Sequence, residues 1–276
     1  MRVFAVQRFN GTAALGLKPV SGKSVNLELQ DKVVLVTGGS HGLGRAICEV
    51  LAAEGARVGL NYRRSPERAE NVVEGIQATG GQAVAVRGDV ISEEDVVRMF
   101  DELETALGPV FGLVNNAAYC AEPPTVDLEL DDFTRAVDVN LRGTFLCSRE
   151  LLRRFKHNGL QGRIVNISSQ AAFRGSNSGK SAYDMTKLGI VGYTRSLARE
   201  VAAQGVCVNC VAPGLMYTEM LAKAIDADPD HYARRAPLGR LGRTEEVAAV
   251  VTFLFSAQAG YMTGATVDVS GGLAMH

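Results

Sequence analysis

Two polar side chains, the phenol of Tyr183 and the ammonium of Lys187, lie four residues apart and have the chemistry to move a proton. In a helix, this spacing places them one turn apart on the same face. A phenol is a weak acid at neutral pH because its reference pKa is about 10. A cation about 4 Å away, at an effective dielectric constant of about 20, contributes roughly 4 kcal/mol, which would lower that pKa by about three pH units. A tyrosine and a lysine at this spacing are also common on solvent-exposed helices that have no catalytic role. The interpretation therefore depends on what surrounds the pair.

A glycine-rich turn lies far upstream of this pair. It contains Gly38, Gly42 and Gly44, and it joins an apolar run at 32–37 to a helical pattern that begins at Leu43. Glycines let a backbone approach a phosphate, and a helix N-terminus offers it free N–H groups and a positive dipole end. The spacing Gly-x-x-x-Gly-x-Gly differs from the common Gly-x-Gly-x-x-Gly, but its place between strand and helix predicts a dinucleotide phosphate site.

Apolar runs and helical patterns alternate from about residue 29 to the end of the chain. Seven strands are predicted, at 32–37, 57–61, 82–86, 110–115, 162–168, 206–211 and 265–269. Helices are predicted at 43–54, 65–79, 92–107, 131–157 and 244–256, with another that contains Tyr183 and ends near 204. Strands that are apolar on both faces predict a parallel sheet covered on both sides. Right-handed crossovers then give a single doubly wound (Rossmann) α/β domain with helices on both faces.

Charge and cysteine content exclude several classes of protein. The 29 basic and 30 acidic residues nearly cancel, which gives little non-specific attraction to nucleic acid or anionic lipid. No apolar run approaches the roughly 20 residues that span a bilayer. Five cysteines, an odd number without framework spacing, predict a reducing compartment such as the cytoplasm. Cys207 and Cys210 match C-x-x-C, but they lie in a predicted strand, where residues three apart face opposite ways, so no metal site is predicted.

The first 28 residues differ from the rest because they contain basic residues and no acid before Glu28. Such a start is found in transit peptides, which would place the protein in an organelle matrix. The segment is poor in serine and only weakly amphipathic, so we expect instead a disordered extension at 1–28, followed by one dehydrogenase/reductase domain at 29–276. The mass of the mature protein from its native source tests this expectation, since loss of about 28 residues would contradict it.

Together these motifs resemble the classical short-chain dehydrogenase/reductase family over about residue 29 to the end. The residues that carry the resemblance lie in order along the chain: Gly38, Gly42, Gly44, Asp89, Val90, Asn115, Asn116, Ala117, Asn140, Ser169, Tyr183, Lys187, Pro213, Gly214 and Thr218. The chain is most similar to bacterial 3-oxoacyl-acyl-carrier-protein reductases and to related sugar dehydrogenases. So many independent motifs at strand ends are far more specific than the Tyr–Lys spacing alone.

The resemblance implies a catalytic set of Asn140, Ser169, Tyr183 and Lys187. Tyr183 would be the general acid in carbonyl reduction and the base in alcohol oxidation, while Lys187 would hold the nicotinamide ribose and lower the pKa of Tyr183. Ser169 would hydrogen-bond the substrate oxygen as charge develops, with Ser168 as the alternative. Asn140, in a locally distorted part of the long helix, would hold a water that links Lys187 to solvent.

The resemblance also implies a nicotinamide-cofactor site. Its expected residues are Gly38, Ser40, His41, Gly42, Leu43, Gly44, Asn61, Arg63, Arg64, Asp89, Val90, Asn116, Ala117, Tyr183, Lys187, Pro213, Gly214 and Thr218. Asp89 would accept a hydrogen bond from the adenine amine while Val90 packs on the ring. Asn115 would tie adjacent strands, and Thr218 would bind the carboxamide or the pyrophosphate. For Asp89 and Asn115, capping of a strand end is the alternative.

The end of the second predicted strand decides the choice of cofactor. An acid there would bind the adenosine ribose 2′-hydroxyl and repel a 2′-phosphate, but this chain has Arg63 and Arg64. Guanidinium groups suit phosphate because they bond to it bidentately. His41 occupies a position that is often arginine in NADP-preferring relatives. We therefore predict that NADP(H) is preferred and that NAD(H) is used to some extent.

Substrate and assembly are less well specified. The family usually has glycine at Ala118, and residues 215–242 resemble the family's substrate lid. The main hypothesis is reduction of a 3-oxoacyl-type ketone; the alternatives are a dehydrogenase of a sugar, steroid or xenobiotic alcohol and a non-catalytic dinucleotide-binding regulator. An acyl carrier protein would need basic residues near the cleft mouth, and Arg153, Arg154 and Lys156 are the candidates.

The predicted helix at 131–157 bears on assembly. Four apolar side chains recur on it every four residues: Phe133, Val137, Leu141 and Phe145. The resemblance implies a homotetramer built from the two long helices and the C-terminal segment. Core packing of the stripe is the alternative.

Overall fold

Seven parallel strands form one sheet in the computed structural model, which describes residues 26–176 and 179–275. They are β1 (Val33–Val36), β2 (Arg57–Tyr62), β3 (Gln82–Arg87), β4 (Val110–Asn115), β5 (Arg163–Ile167), β6 (Cys207–Pro213) and β7 (Thr266–Val269). Their order is β3-β2-β1-β4-β5-β6-β7. The strand order reverses between β1 and β4, so the topology is doubly wound and the predicted fold is confirmed.

Helices cover both faces of this sheet. They are α1 (Gly42–Ala53), α2 (Pro66–Ala78), α3 (Glu93–Leu107), α4 (Leu130–Val137), α5 (Gly143–Asn158), α6 (Ala171–Arg174), α7 (Ser181–Val201), α8 (Glu219–Ala227), α9 (Pro229–Arg235) and α10 (Thr244–Phe255). Short α6, α8 and α9 fall in stretches for which no helix was predicted. The other boundaries lie within a few residues of the predicted ones.

Alternate residues of β1 point into two separate cores. Val34 and Val36 pack with side chains of α1, α2 and α10. Val33 and Leu35 pack on the opposite face with side chains of α3, α5 and α7. All four side chains are buried, as expected for a central parallel strand that is covered on both sides. Asn115 Nδ2 donates to Asn166 Oδ1 over 2.8 Å, which ties β4 to β5 as predicted.

The long helix predicted at 131–157 is interrupted by one π-helical turn, Asp138–Arg142, between α4 and α5. A π turn inserts one extra residue into a helix and often marks a functional site. Asn140 lies in this turn, so the predicted local distortion is confirmed. The apolar stripe of this helix is divided: Leu141 packs against the small core of Ile190, Val191 and Cys210, whereas Phe145 is 43% exposed and Phe133 and Val137 are partly exposed.

Near the N-terminus, Leu29 is buried and Leu27 packs against the same core. Residues 1–25 of the predicted extension lie outside the described residues. Across the described ranges, no helix has the length and apolarity to cross a membrane. Cys207 and Cys210 lie in β6 as predicted, and both are free thiols.

Candidate active site

The turn between β1 and α1 exposes its backbone to a cleft at the carboxyl ends of the strands. Gly38 and Gly42 have φ angles of 65° and 53°, which favour glycine. A side chain at Gly44 would clash with the Gly38 carbonyl oxygen. Above Gly42 the nearest atoms to an added Cβ belong to Thr218, at 3.9 Å, so the turn has open space over it. The first turn of α1 carries no acid. This arrangement fits the pyrophosphate of a dinucleotide.

Two asparagines expected at the cofactor hold this turn from behind. Asn61, which is 2% exposed, accepts from Gly38 N over 3.2 Å and donates to Gly88 O over 3.0 Å. Asn116 Nδ2 donates to the carbonyl oxygens of Thr37 and Gly38 over 2.9 and 3.1 Å. Their amides therefore fix the shape of the glycine turn.

The other expected cofactor residues line the same cleft. Those not yet placed are Ser40, His41, Leu43, Val90, Ala117, Pro213 and Gly214. The cleft has a volume of about 440 Å³. Gly214 packs so tightly against Ser270 that an added Cβ would lie 2.6 Å from its Cα. Thr218 immediately precedes α8 and faces the glycine turn, which brings the start of the expected lid onto the phosphate side of the cleft.

Two groups expected at the adenosine bind each other. Arg63 Nη1 donates to Asp89 Oδ2 over 3.2 Å, and both side chains are about one-third exposed. Asp89 Oδ1 also accepts from Ile91 N over 3.3 Å, which is the strand-end capping named as its alternative role. Arg64 makes no hydrogen bond or ion pair with any described residue, and it lines the cleft.

The catalytic candidates come from three elements. Ser169 follows β5, Tyr183 and Lys187 lie in the first two turns of α7, and Asn140 lies in the π turn. Ser169, Tyr183 and Lys187 line the cleft, whereas the fully buried Asn140 lies behind it. The two adjacent serines both line the cleft but have different partners: buried Ser168 donates to Lys187 O over 2.7 Å, while Ser169 is hydrogen-bonded to Tyr183.

Lys187 is a buried ammonium with a backbone partner. Its side chain is 2% exposed, and Nζ donates to Ile167 O over 2.8 Å. Nζ lies 5.4 Å from the centroid of the Tyr183 ring. Burial lowers the pKa of Lys187 to about 8, because removal from water penalises the charged form. This amine therefore titrates close to neutral pH.

The pKa of Tyr183 differs from the sequence-based expectation. Burial raises it, and nearby Cys120 raises it further, whereas a hydrogen bond with Ser169 lowers it. The predicted net lowering of the Tyr183 pKa is therefore wrong. The physical reason is that desolvation of the phenolate outweighs the attraction of an ammonium that itself is poorly solvated and bonded to Ile167.

The side chain of Asn140 joins the loop after β4 to helix α7. Its Oδ1 accepts from Tyr119 N over 2.8 Å, and its Nδ2 donates to Tyr119 O over 2.9 Å and to Thr186 Oγ1 over 2.8 Å. The Asn140 carbonyl accepts from Thr144 Oγ1 over 2.7 Å. Asn140 thus positions the Tyr119 loop beside the catalytic helix, and its expected water-holding role stays a prediction.

Sequence reasoning missed Tyr119, Cys120 and Arg135 near the catalytic candidates, whereas Tyr232 and Arg235 lie in the stretch 215–242 that was predicted as the substrate lid. The part of the cleft next to Tyr183, here called the substrate end, is lined by Tyr119, Cys120, Arg135, Lys180, Tyr232 and Arg235. Tyr119 and Cys120 could have been found, because they closely follow the end of β4. Arg135 lies on α4, and the apolar spacing of that helix does not indicate which of its polar side chains reach the cleft. The opposite part, from the glycine turn to Arg64, is here called the cofactor end.

The structure contradicts one proposed carrier-protein contact. Arg154 is only 14% exposed, and its guanidinium bonds Asp101, Glu104 and Glu150 over 2.6–2.9 Å. Helix α5 packs beside α3, so acidic residues of α3 form ion pairs with the Arg154 guanidinium. Arg153 contacts Glu93 over 3.4 Å but is 55% exposed, and it stays available as a surface charge.

Comparisons with known proteins agree with this geometry. A family model described as enoyl-(acyl carrier protein) reductase matches residues 38–274. The chain is 42% identical over 250 residues to the 3-oxoacyl-[acyl-carrier-protein] reductase FabG of Aquifex aeolicus, covering 90% of this chain and all of that protein. It is 40% identical to the uncharacterized oxidoreductase YgfF of Escherichia coli, covering 87% of this chain and 99% of that protein.

Solved structures give the same result. A short-chain dehydrogenase from Burkholderia cenocepacia in complex with NADP is 36% identical, with a TM-score of 0.82 over 89% of this chain and 98% of that one. A putative gluconate dehydrogenase from Agrobacterium tumefaciens is 34% identical, with a TM-score of 0.85 over 91% of this chain and 98% of that one.

Proposed function

This chain belongs to the short-chain dehydrogenase/reductase family, and on that premise we propose that it reduces 3-oxoacyl thioesters to 3-hydroxyacyl thioesters with NADPH. It is an enzyme that acts on CH–OH and C=O groups. The observation that carries the proposal is that Ser169, Tyr183 and Lys187 meet in the cleft that begins at the glycine turn. The similarity to the Aquifex aeolicus reductase supports the choice of substrate.

The catalytic residues divide the reaction between them. Bound NADPH supplies a hydride to the carbonyl carbon. Tyr183 gives its phenolic proton to the carbonyl oxygen, on which negative charge develops, and Ser169 donates a hydrogen bond to that oxygen. The raised pKa of Tyr183 keeps the phenol protonated before transfer. The Lys187 ammonium beside the ring then stabilises the phenolate that is left.

We propose that NADPH is preferred over NADH. The cofactor end offers Arg64 without a partner among the described residues and Arg63 held by Asp89 at 3.2 Å. A 2′-phosphate carries more charge than the single Asp89 carboxylate and bonds a guanidinium bidentately, so it can share or replace that contact. The NADP-bound relative from Burkholderia cenocepacia supports this preference.

A panel of substrates tests the function. We expect NADPH to be consumed with a 3-oxoacyl N-acetylcysteamine thioester, a neutral substrate, and the product to be its 3-hydroxy derivative. Turnover of gluconate, a steroid alcohol or a xenobiotic alcohol with NADP⁺, without turnover of any 3-oxoacyl thioester, would favour the alternative dehydrogenase, to which the putative gluconate dehydrogenase is similar. Tight NADPH binding without any turnover would indicate the regulator.

We also propose a homotetramer in a reducing compartment such as the cytoplasm. Apolar side chains of the long helix and α7 are exposed on one protomer, notably Phe145 (43%), Met185 (49%) and Leu188 (51%). Burying them between copies would remove this apolar surface from water. The five cysteines are free thiols, which suits reducing conditions. Light scattering tests the assembly, and a monomer at micromolar concentration would contradict it.

A further inference from the structure

Three cations from separate segments line the substrate end. Arg135 lies on α4, Lys180 immediately precedes α7, and Arg235 ends α9. The two carboxylates that line the cleft in the described residues, Asp89 and Glu219, are both ion-paired to arginines at the cofactor end. Among the described residues no carboxylate lines the substrate end, and of its three cations only Lys180 has an ion pair, a 3.6 Å contact with Glu122.

The two arginines are oriented by aromatic rings. The Arg135 guanidinium carbon lies 4.4 Å from the Tyr119 ring centroid, and that of Arg235 lies 5.6 Å from the Tyr232 centroid. Both side chains are half-buried, and neither makes a hydrogen bond or ion pair with any described residue. A guanidinium stacked on a ring keeps its in-plane N–H groups free. Those N–H groups are suited to bidentate bonding of a carboxylate or phosphate.

The ammonium of Lys180 has only a weak ion-pair partner. It is 17% exposed, and its closest acid is Glu122 at 3.6 Å, a long contact with a side chain that is itself 65% exposed. A partly buried ammonium loses hydration that such a contact replaces only weakly. Lys180 also lies close enough to Cys120 to lower the pKa of that thiol, although burial raises it more.

The nearby acids are already occupied. Asp132, on the same helix as Arg135, accepts a 2.5 Å hydrogen bond from the Tyr119 hydroxyl. Asp184, on α7 next to Tyr183, accepts from Ser176 Oγ over 3.1 Å. Neither forms an ion pair with Arg135 or Lys180 within 4.0 Å. An anion from the ligand would therefore find these cations available.

We propose that Arg135, Lys180 and Arg235 form a subsite for an anionic group of the substrate, a carboxylate or a phosphate. The three cations line the same cleft as Tyr183. This inference rests on the proposed function and narrows its substrate to a charged one. A phosphate would belong to the arm of a carrier thioester. A carboxylate would belong to a short 3-oxo acid, which would replace the thioester of the proposed function.

Matched ligand pairs test the subsite without requiring turnover. Binding to the NADP⁺-loaded protein is measured by calorimetry for 4′-phosphopantetheine against pantetheine, and for 3-hydroxybutanoate against its methyl ester. We expect the charged member of one pair to bind about tenfold more tightly, which corresponds to about 1.4 kcal/mol. The pair that discriminates identifies the phosphate or the carboxylate. Equal affinities within both pairs would overturn the inference.

Variants locate the effect. Arg135→Gln, Lys180→Gln and Arg235→Gln should each reduce the discrimination several-fold, and Arg135→Gln combined with Lys180→Gln should abolish it. Arg234→Gln is the matched control, because Arg234 is 72% exposed, its nearest acid is Asp230 at 3.9 Å, and it does not line the cleft. If Arg234→Gln reduced discrimination as much as Arg235→Gln, a general electrostatic field would replace the subsite.

Turnover separates this inference from the proposed function. A neutral 3-oxoacyl N-acetylcysteamine thioester should be reduced by the native protein and by the Arg234→Gln control with similar kcat/KM. Failure to reduce any 3-oxoacyl thioester, with charge discrimination intact, would refute the proposed function alone. Reduction of neutral and charged thioesters with equal kcat/KM, together with equal affinities, would refute the subsite alone.

Discussion

The two ends of the cleft differ in how their charged side chains are paired. At the cofactor end, Arg63 pairs with Asp89 at 3.2 Å and Arg68 bonds both Glu219 oxygens at 2.8 and 2.9 Å. At the substrate end, Arg135 stacks on an aromatic ring and makes no ion pair with a described residue. Among the described arginines of the cleft, Arg64 alone stays unpaired at the cofactor end, whereas both Arg135 and Arg235 do at the substrate end. The substrate end therefore keeps more of its cations available for a ligand.

The largest expected effect is the loss of turnover when Tyr183, which lies between the two ends of the cleft, is replaced. Tyr183→Phe removes the proton donor and keeps the ring, so kcat with a 3-oxoacyl thioester should fall by about 10²- to 10⁴-fold. NADPH affinity, measured by fluorescence titration, should change little. Tyr193→Phe is a matched control, because Tyr193 lies on the same helix α7 but does not line the cleft. A Tyr183→Phe enzyme with near-native kcat would show that another group supplies the proton.

Lys187→Met should separate activity from stability. Turnover and NADPH affinity should both fall because the ammonium is lost. The free energy of unfolding at pH 7 should rise by about 2 kcal/mol. The variant no longer buries a charge, which stabilises the fold, and the loss of the hydrogen bond to Ile167 offsets part of that gain. Chemical denaturation measures this change, and a large loss of stability would contradict the assignment of a desolvated lysine.

The same variant has a pH signature. The pKa of Lys187 is about 8 in the folded protein against an ordinary value of 10.5. Between these pH values the Lys187 side chain binds more protons in the unfolded chain than in the folded one. Its contribution to the free energy of unfolding of the native protein should therefore rise with pH across this window. The rise should be smaller in Lys187→Met. Identical pH profiles for the two proteins would contradict the lowered pKa.

A charge reversal at the cofactor end should alter cofactor choice. Arg63→Glu replaces the proposed ligand of the 2′-phosphate with an acid next to Asp89, so the ratio of kcat/KM for NADPH to that for NADH should fall about tenfold or more. Arg45→Glu is a control, because Arg45 pairs with Glu49 on the exposed face of α1. An unchanged ratio in Arg63→Glu would refute the assignment of this strand end to the 2′-phosphate.

The smallest effect concerns the ion pair that connects α2 to the start of α8. Arg68 and Glu219 are 54% and 61% exposed, so their pairing should contribute at most about 1 kcal/mol. Glu219→Gln should raise the NADPH dissociation rate by less than about fivefold, and added salt should reduce the difference. Exchanging the charges, with Arg68→Glu and Glu219→Arg together, should restore the native rate. Failure of the exchange would indicate that Glu219 acts on the cofactor directly.

The sequence predicted the cofactor end well and the substrate end poorly. Strand-end motifs located Gly38 and Arg63 because parallel strands deliver their carboxyl ends to one edge. Contacts between segments far apart in sequence, such as Arg63 with Asp89 or Tyr119 with Asn140, left no pattern to read. The rise in the Tyr183 pKa was missed because it depends on burial, which neighbouring residue types alone do not specify.

The central claim is that this cleft transfers a hydride from NADPH to a ketone carbon while Tyr183 protonates the oxygen. NADPH deuterated at its reactive carbon, incubated with a 3-oxoacyl thioester, tests it directly by mass spectrometry and NMR of the product. The account predicts one deuterium, on the carbon that bears the new hydroxyl. Absence of label from that carbon, or label in a saturated acyl chain formed from an enoyl thioester while the 3-oxo compound is left unreduced, would contradict it.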